Sequence, residues 1–353
     1  DNIDLTNNYG NSDFWISELD TSGNILKSKN FGGSNYDDCN DVIQLVDSGY
    51  LLVGTTQSND FDVSFLHGVS DFWVVRIDKN FNLIWEKTYG GTNQDEAKSV
   101  FKSSDGNWVI SGFTISQDGD VSSNNGSADF WVIKIDINGD IIWGKNFGGS
   151  DLDVCYQGSE TFDGLLVFGG KTYSDNGDVI DFKGGSDYWL ITCDANGILL
   201  SSNCYGSSNF EICYSMFQIN KNLYLAGRIQ GSGGDITEYN GGIYDIWILC
   251  LDSTKNIIWE KNFGGSGNDE PFNIKGFSNN ECIISGATTS NDGDITETYS
   301  DGITYDYWVF TIDSNGTLIW QISLGGTAYD EAHSSLLSLN KTYYISGWSN
   351  SID

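Results

Sequence analysis

The sequence predicts an all-β protein built from one four-stranded unit repeated six times, and three observations carry that expectation. A tripeptide D-(F/Y/I)-W opens at Asp13, Asp71, Asp129, Asp187, Asp245 and Asp306, at intervals of 58, 58, 58, 58 and 61 residues. Each interval holds four short β-branched and aromatic runs bounded by Gly, Asn, Asp and Ser, the composition of strands and tight turns. The two ends of the 353-residue chain fall on the same repeat position, so six whole periods fit. A period of this length with four strands in it reads as a propeller blade rather than a helical solenoid.

The third copy gives the order of elements. "EAKSVFKSS" is the first strand, "NWVISGFT" the second, "DFWVIKID" the third and "DIIWGKNFGG" the fourth, with a polar loop between the second and third. The chain starts in that loop and ends after a second strand. The expected architecture is therefore one domain over residues 1–353, a six-bladed propeller with four antiparallel strands per blade. One blade is completed by residues 330–348 together with 13–30, which ties the ends of the ring and removes the open sheet edges. The tryptophans of the third strands, Trp15, Trp73, Trp131, Trp189, Trp247 and Trp308, are expected to fill the space between blades.

Composition bounds the partners. With 17 Lys+Arg against 49 Asp+Glu the net charge is -32, which repels a phosphate backbone and argues against nucleic acid. Aromatic residues are 14% of the chain and proline occurs once, so a packed core is expected despite the charge. No run of about 18 apolar residues is present, so membrane insertion is not expected. The first residues, "DNIDLTNNYG", have neither the basic start nor the apolar run of a signal peptide, so an exported protein would be read here in its mature form. Cys39, Cys155 and Cys213 occupy one repeat position, and equivalent positions lie on neighbouring units, so the seven cysteines imply no disulfide framework.

At "GGSGNDE" (Gly264 to Glu270), with "ECIISGATTSNDGD" and "DYWVFTIDSNGTLIWQISLGGT" after it, the pattern resembles the bacterial SBBP-type β-propeller repeat, with kelch-like four-stranded blades. Its units carry a GGS-x-x-D turn, a G-x-T after one strand and a D-x-x-G turn before the last. The resemblance covers all six periods, although the family is named for seven blades. It implies an exported or surface protein (extracellular, cell-surface or periplasmic) and no particular activity. The "DINGDIIW" turn (Asp136 to Trp143) also resembles the corner of quinoprotein and sialidase-like propellers, where it is a structural staple that brings no cofactor.

Four sets of residues are candidates for function. After each glycine pair one acid recurs: Asp37, Asp95, Asp153, Glu211, Asp269 and Asp330. These either cap backbone N–H groups of the turn or line a channel mouth that attracts cations. Loop acids Asp118 with Asp120 and Asp292 with Asp294 could hold Ca²⁺, though none follows the D-x-D-x-D-G pattern, and no cofactor is required by the sequence. Loop residues that differ between repeats are candidates for ligand binding: Tyr9, Phe65, His67, Phe182, Tyr239 and Tyr299. The variable residue inside the glycine turn adds Tyr36, Phe210 and Tyr329. Such aromatics suit sugar rings or a protein surface, or else pack beneath their own loops.

Catalytic patterns are weak. His67 and His333 are the two histidines and sit in different repeats on different loop types, so no metal cluster or triad is suggested. "VFGGKT" (Val167 to Thr172) lacks the first glycine of a phosphate loop. The expectation is a non-catalytic binding or adhesion module for a glycan or protein, a monomeric ring or part of a larger surface protein. The alternatives are a polysaccharide-cleaving enzyme with acids at the channel mouth, and a structural spacer.

Overall fold

The computed structural model describes residues 8–277, 280–296, 302–337 and 342–351. It contains strands and no helix among these residues, and the chain divides into two compact units. Unit 1 holds residues 1–160 with the segments 176–178 and 195–198; unit 2 holds the rest.

Unit 1 carries β1 (Phe14–Leu19), β2 (Ile25–Phe31), β3 (Asp37–Gln44), β4 (Tyr50–Thr56), β5 (Asp71–Ile77), β6 (Leu83–Tyr89), β7 (Asp95–Lys102), β8 (Trp108–Thr114), β9 (Asp129–Ile135), β10 (Ile141–Phe147) and β11 (Asp153–Glu160). Unit 2 carries β12 (Leu166–Thr172), β13 (Asp187–Cys193), β14 (Leu199–Tyr205), β15 (Ile212–Ile219), β16 (Asn222–Ile229), β17 (Asp245–Leu251), β18 (Ile257–Phe263), β19 (Asp269–Gly276), β20 (Cys282–Thr288), β21 (Asp306–Ile312), β22 (Leu318–Leu324), β23 (Asp330–Leu337) and β24 (Tyr343–Ser349). Four-stranded antiparallel meanders recur: β3 to β6 and β7 to β10 in unit 1, β15 to β18 and β19 to β22 in unit 2. β1–β2 and β23–β24 are each two-stranded sheets.

The G-x-T glycine is explained by the register. Gly112 on β8 faces Ala97, where β7 bulges, and Trp131 on β9. A side chain at Gly112 would run into the Glu96 carbonyl oxygen, so the bulge and the glycine require each other.

The third strands are buried along nearly their whole length, as central strands must be. Adjacent sheets pack through their aromatic starts. In unit 1 Phe14 meets Trp73 and Phe72 meets Trp131, both with ring centroids 4.5 Å apart; in unit 2 Tyr188 meets Trp247 at 4.9 Å. Trp73, Trp131, Trp189, Trp247 and Trp308 are fully buried as expected. Trp15 is not, at 45% exposed, because β1 pairs with β2 alone and carries no second-strand glycine across from it among the described residues.

The D-x-x-G corner is a staple. Asp136 Oδ1 accepts the backbone N–H groups of Asn138 (2.8 Å) and Asp140 (2.9 Å), and Gly139 takes φ +78°. The Tyr89 hydroxyl donates to the Gly139 carbonyl at 2.6 Å, which fastens one sheet of unit 1 to the next. All seven cysteines are free thiols, six of them buried. No helix of the described residues is long and apolar enough to cross a membrane.

Candidate functional site

Each glycine turn is held by one recurring acid. Gly91 donates its N–H to Asp95 Oδ2 at 2.8 Å, while Thr114 and Ser116 donate hydroxyls to the same carboxylate. Asp37 and Asp269 repeat the pattern with Gly33, Thr56 and Ser58, and with Gly265, Thr288 and Ser290. Asp153 accepts from Gly149, Glu211 from Ser207, and Asp330 from Gly326 and Ser351. These six acids are enclosed and committed to the turn. Burial pushes the carboxyls of Asp37, Asp95 and Asp269 up, against the hydrogen bonds that favour ionisation, and pushes Glu211 up to about 7.

A second repeated set of acids is not marked by the sequence as chemistry. The aspartates that open the third strands accept a loop N–H through one oxygen: Tyr9 to Asp13, His67 to Asp71, Asn125 to Asp129, Lys183 to Asp187 and Asn240 to Asp245, at 2.6–2.8 Å. The other oxygen of Asp71, Asp129, Asp187 and Asp245 is buried without a hydrogen-bond partner. Burial, with the neighbouring turn and loop acids adding to it, raises Asp129, Asp187 and Asp245 to about 7. The repeated D of D-x-W was the signal.

The loop acids offered for Ca²⁺ are directed at backbone. Asp118 Oδ1 accepts from the Thr92 N–H at 2.7 Å and Asp120 Oδ2 from Gly90 at 3.3 Å. Asp292 and Asp294 do the same for Ser266 (2.7 Å) and Gly264 (3.1 Å). Among the described residues no group of three or more metal-ligating side chains is arranged to hold an ion.

The candidate aromatics divide by unit. In unit 1 Tyr9 stacks on Phe61 with centroids 5.1 Å apart, Tyr36 is 51% exposed, and Phe65 meets the edge of His67 at 4.7 Å. His67 is an anchor, its Nδ1 sharing a 2.8 Å hydrogen bond with Asp71 Oδ2 and its Nε2 lying 3.8 Å from Asp120. In unit 2 Phe182 is half-buried, and Tyr239 packs against the core and donates its hydroxyl to the Gly242 carbonyl, so it serves its own loop. Tyr329 is exposed, 6.1 Å from Tyr305. Tyr299 lies outside the described residues. His333, expected on a loop, is on β23, where it stacks on Phe272 at 4.5 Å.

Phe210 lines a cavity. This hollow of about 240 Å³ in unit 2 is bounded by Tyr173, Phe210, Ile212, Arg228, Gln230 and Tyr244. Its walls are the end of β12, the start of β15, the end of β16 and the residue before β17. Arg228 lies over the Tyr244 ring at 3.8 Å and donates from Nη1 to Glu270 Oε2 at 2.6 Å. Glu270 also accepts the Tyr305 hydroxyl at 3.0 Å. The residue before D-x-W is Ser12, Ser70, Ala128 and Ser186 in four copies but Tyr244 and Tyr305 in two, a difference visible in the sequence.

No family profile and no curated protein matches the sequence. Solved structures do show likeness at low identity. The WD40 domain of Neurospora crassa Pan2 is 11% identical with a TM-score of 0.45, the match covering 81% of this chain and 66% of that one. The WD40 β-propeller domain of Doa1 is 12% identical with a TM-score of 0.35, over 88% and 89%. A gluconolactonase from Xanthomonas campestris is 10% identical with a TM-score of 0.40, over 86% and 88%.

Proposed function

We propose that the chain is a non-catalytic binding module, a six-bladed ring displayed outside the cell that takes a glycan at its loop-rich face. The observation that supports this reading is the unit-2 cavity, where Tyr173, Phe210 and Tyr244 gather at positions the repeat does not dictate. Where repeats agree, as at the glycine turns, residues hold the fold; aromatics that depart from the repeat and stay open are free to bind. Tyrosine and phenylalanine present flat apolar faces at low entropic cost, which suits sugar rings.

A glycan-array screen of the purified chain, with Ca²⁺ and again with chelator, tests the reading. Selective binding that is lost in Phe210→Ala and Tyr244→Ala and kept in Tyr36→Ala is the expected result. Binding that ignores all three variants removes the cavity from the site, and no glycan binding at all turns attention to a protein ligand.

Ring closure has its own test. Val53 faces Val74 and Ser111 faces Val132 in the complete sheets, a register that would set Ser346 opposite Ile16 in a shared blade. Cysteines there, in a Cys39→Ser background, would lie within the 4.4–6.8 Å Cα separation that a disulfide tolerates. Failure of the pair to oxidise would count against the shared blade.

A further inference from the structure

We infer that the unit-2 cavity is an anion subsite in which Arg228, supported by Lys171, seats the carboxylate of an acidic sugar unit whose ring lies among Tyr173, Phe210 and Tyr244. This rests on the binding-module reading and narrows its ligand class.

The first support is a paired exchange in the repeat. The middle residue of the G-x-T segment is Thr55, Phe113, Lys171, Arg228, Ala287 and Trp348 in successive copies, so a cation stands there in two neighbouring repeats only. The residue after the recurring turn acid is Asp38, Glu96, Val154, Ile212, Glu270 and Glu331, and an acid is missing there in those same two repeats. The fold does not need the exchange, since the other four copies build the same turn without it. In a chain with 17 basic residues and a net charge of -32, two cations in adjacent repeats, each where the usual acid beside it is missing, form a local inversion of charge at that position.

The second support is the state of the two cations. Lys171 is half-buried with its ammonium 5.4 Å from the Tyr173 ring centroid, and it has no carboxylate within ion-pair distance among the described residues. Burial, with the Arg228 charge adding to it, holds the Lys171 ammonium below its ordinary value. A desolvated lysine beside a like charge is unfavourable, and an arriving anion relieves both costs. Arg228 spends Nη1 on Glu270 and rests its plane on Tyr244, which leaves the in-plane edge of a fixed fork for a second acceptor.

Charge balance selects the ligand. Arg228 and Lys171 against Glu270 leave one net positive charge, which a single carboxylate neutralises. A phosphate would bring nearly two negative charges into a strongly acidic protein, and no glycine is among the residues that line the cavity, unlike the glycine-rich nest of backbone N–H groups that phosphates favour. The volume of about 240 Å³ is below the roughly 300–1,000 Å³ of pockets for larger ligands, so one terminal unit is the appropriate occupant.

Ligand-observed NMR with glucuronate, glucose and glucose 6-phosphate tests the inference. The expected result is binding of glucuronate in preference to both others, weakened about tenfold or more in Arg228→Met and in Lys171→Met, as loss of a charge-assisted contact implies. Among the described residues Lys171 forms no ion pair and only a 5.4 Å ring contact with Tyr173, so Lys171→Met leaves the fold's ion pairs in place if Arg228→Met proves unstable. Glucose binding as well as glucuronate overturns the anion subsite and leaves the glycan reading standing. Stronger binding of glucose 6-phosphate overturns the choice of carboxylate. Unchanged glucuronate binding in both variants overturns the site, and no binding of any probe overturns the site and the sugar reading together.

Discussion

A Cβ on Gly90 would stand 2.6 Å from Asp95 Oδ2, and equally 2.6 Å from Asp71 Oδ1. Neither carboxylate can retreat: Asp95 is held by Gly91, Thr114 and Ser116, and Asp71 by the His67 backbone. Gly90→Ala should therefore destabilise the protein by roughly 1–3 kcal/mol through overpacking. Gly144→Ala is the matched control, because its nearest neighbours lie 3.7 Å away and a strand alanine loses less backbone entropy than glycine. Urea denaturation of the two variants compares them directly, and equal midpoints would refute the packing argument.

The same carboxylates set an unusual pH dependence. Asp129, Asp187 and Asp245 ionise ordinarily near 3.8 but near 7 in the folded chain, and Glu211 moves from 4.5 to about 7. Between these values the unfolded chain has lost protons that the folded one retains, so stability falls as pH rises from about 4 to about 7 and then levels. The corner aspartates Asp20, Asp78, Asp136, Asp252 and Asp313 are held below 3.8 by hydrogen bonds from their own turns, and their contribution is lost only in stronger acid. Calorimetry should find a higher Tm at pH 5 than at pH 8. A Tm that climbs over that interval would show that these acids are ionised and compensated.

The repeat was legible in the sequence because D-x-W, G-x-T and the glycine turn are each required by a local constraint that recurs. Trp15 departs from the expectation because its burial depends on neighbours: β1–β2 stands as a two-stranded sheet without the second strand that covers Trp73 or Trp131, a strand that the proposed shared blade would supply. The cavity was only partly legible. Phe210 was singled out as a variable turn residue, but Arg228 and Tyr244 sit at the ends of strands, where variation reads as packing. Tyr239 shows the converse, a variable loop aromatic that fills the space under its own loop.

Lys134 offers a test of buried charge in unit 1. Its side chain is 3% exposed, and the ammonium meets Asp105 Oδ2 at 2.6 Å and the Ala195 carbonyl at 3.3 Å. Asp105→Asn leaves that ammonium without its counter-charge and should cost about 3 kcal/mol, the low end for a broken buried pair, because Asp105 itself is half-exposed. The double variant with Lys134→Met should recover part of the loss, since removing both charges abolishes the stranded one. Chemical denaturation of the three proteins decides it, and a double variant weaker than Asp105→Asn alone would place the cost in packing of the lysine stem.

Among the third-strand tryptophans Trp73, Trp131, Trp189, Trp247 and Trp308, one indole lacks what the other four have. Trp73 donates its N–H to Glu86, Trp189 to Ser202, Trp247 to Glu260 and Trp308 to Gln321, always thirteen residues ahead and at 2.7–2.9 Å. The corresponding position after Trp131 is Gly144, and the Trp131 indole N–H is buried with no partner. A Cβ on Gly144 would sit 3.7 Å from that nitrogen with nothing closer, so a side chain can enter. Gly144→Gln should supply the missing acceptor and stabilise the protein by about 1 kcal/mol, the net value of one satisfied hydrogen bond. The gain of Gly144→Gln over Gly144→Ala should vanish in a Trp131→Phe background, where there is no donor to satisfy. If glutamine stabilises both backgrounds equally, strand propensity is the cause and the unpaired indole is not.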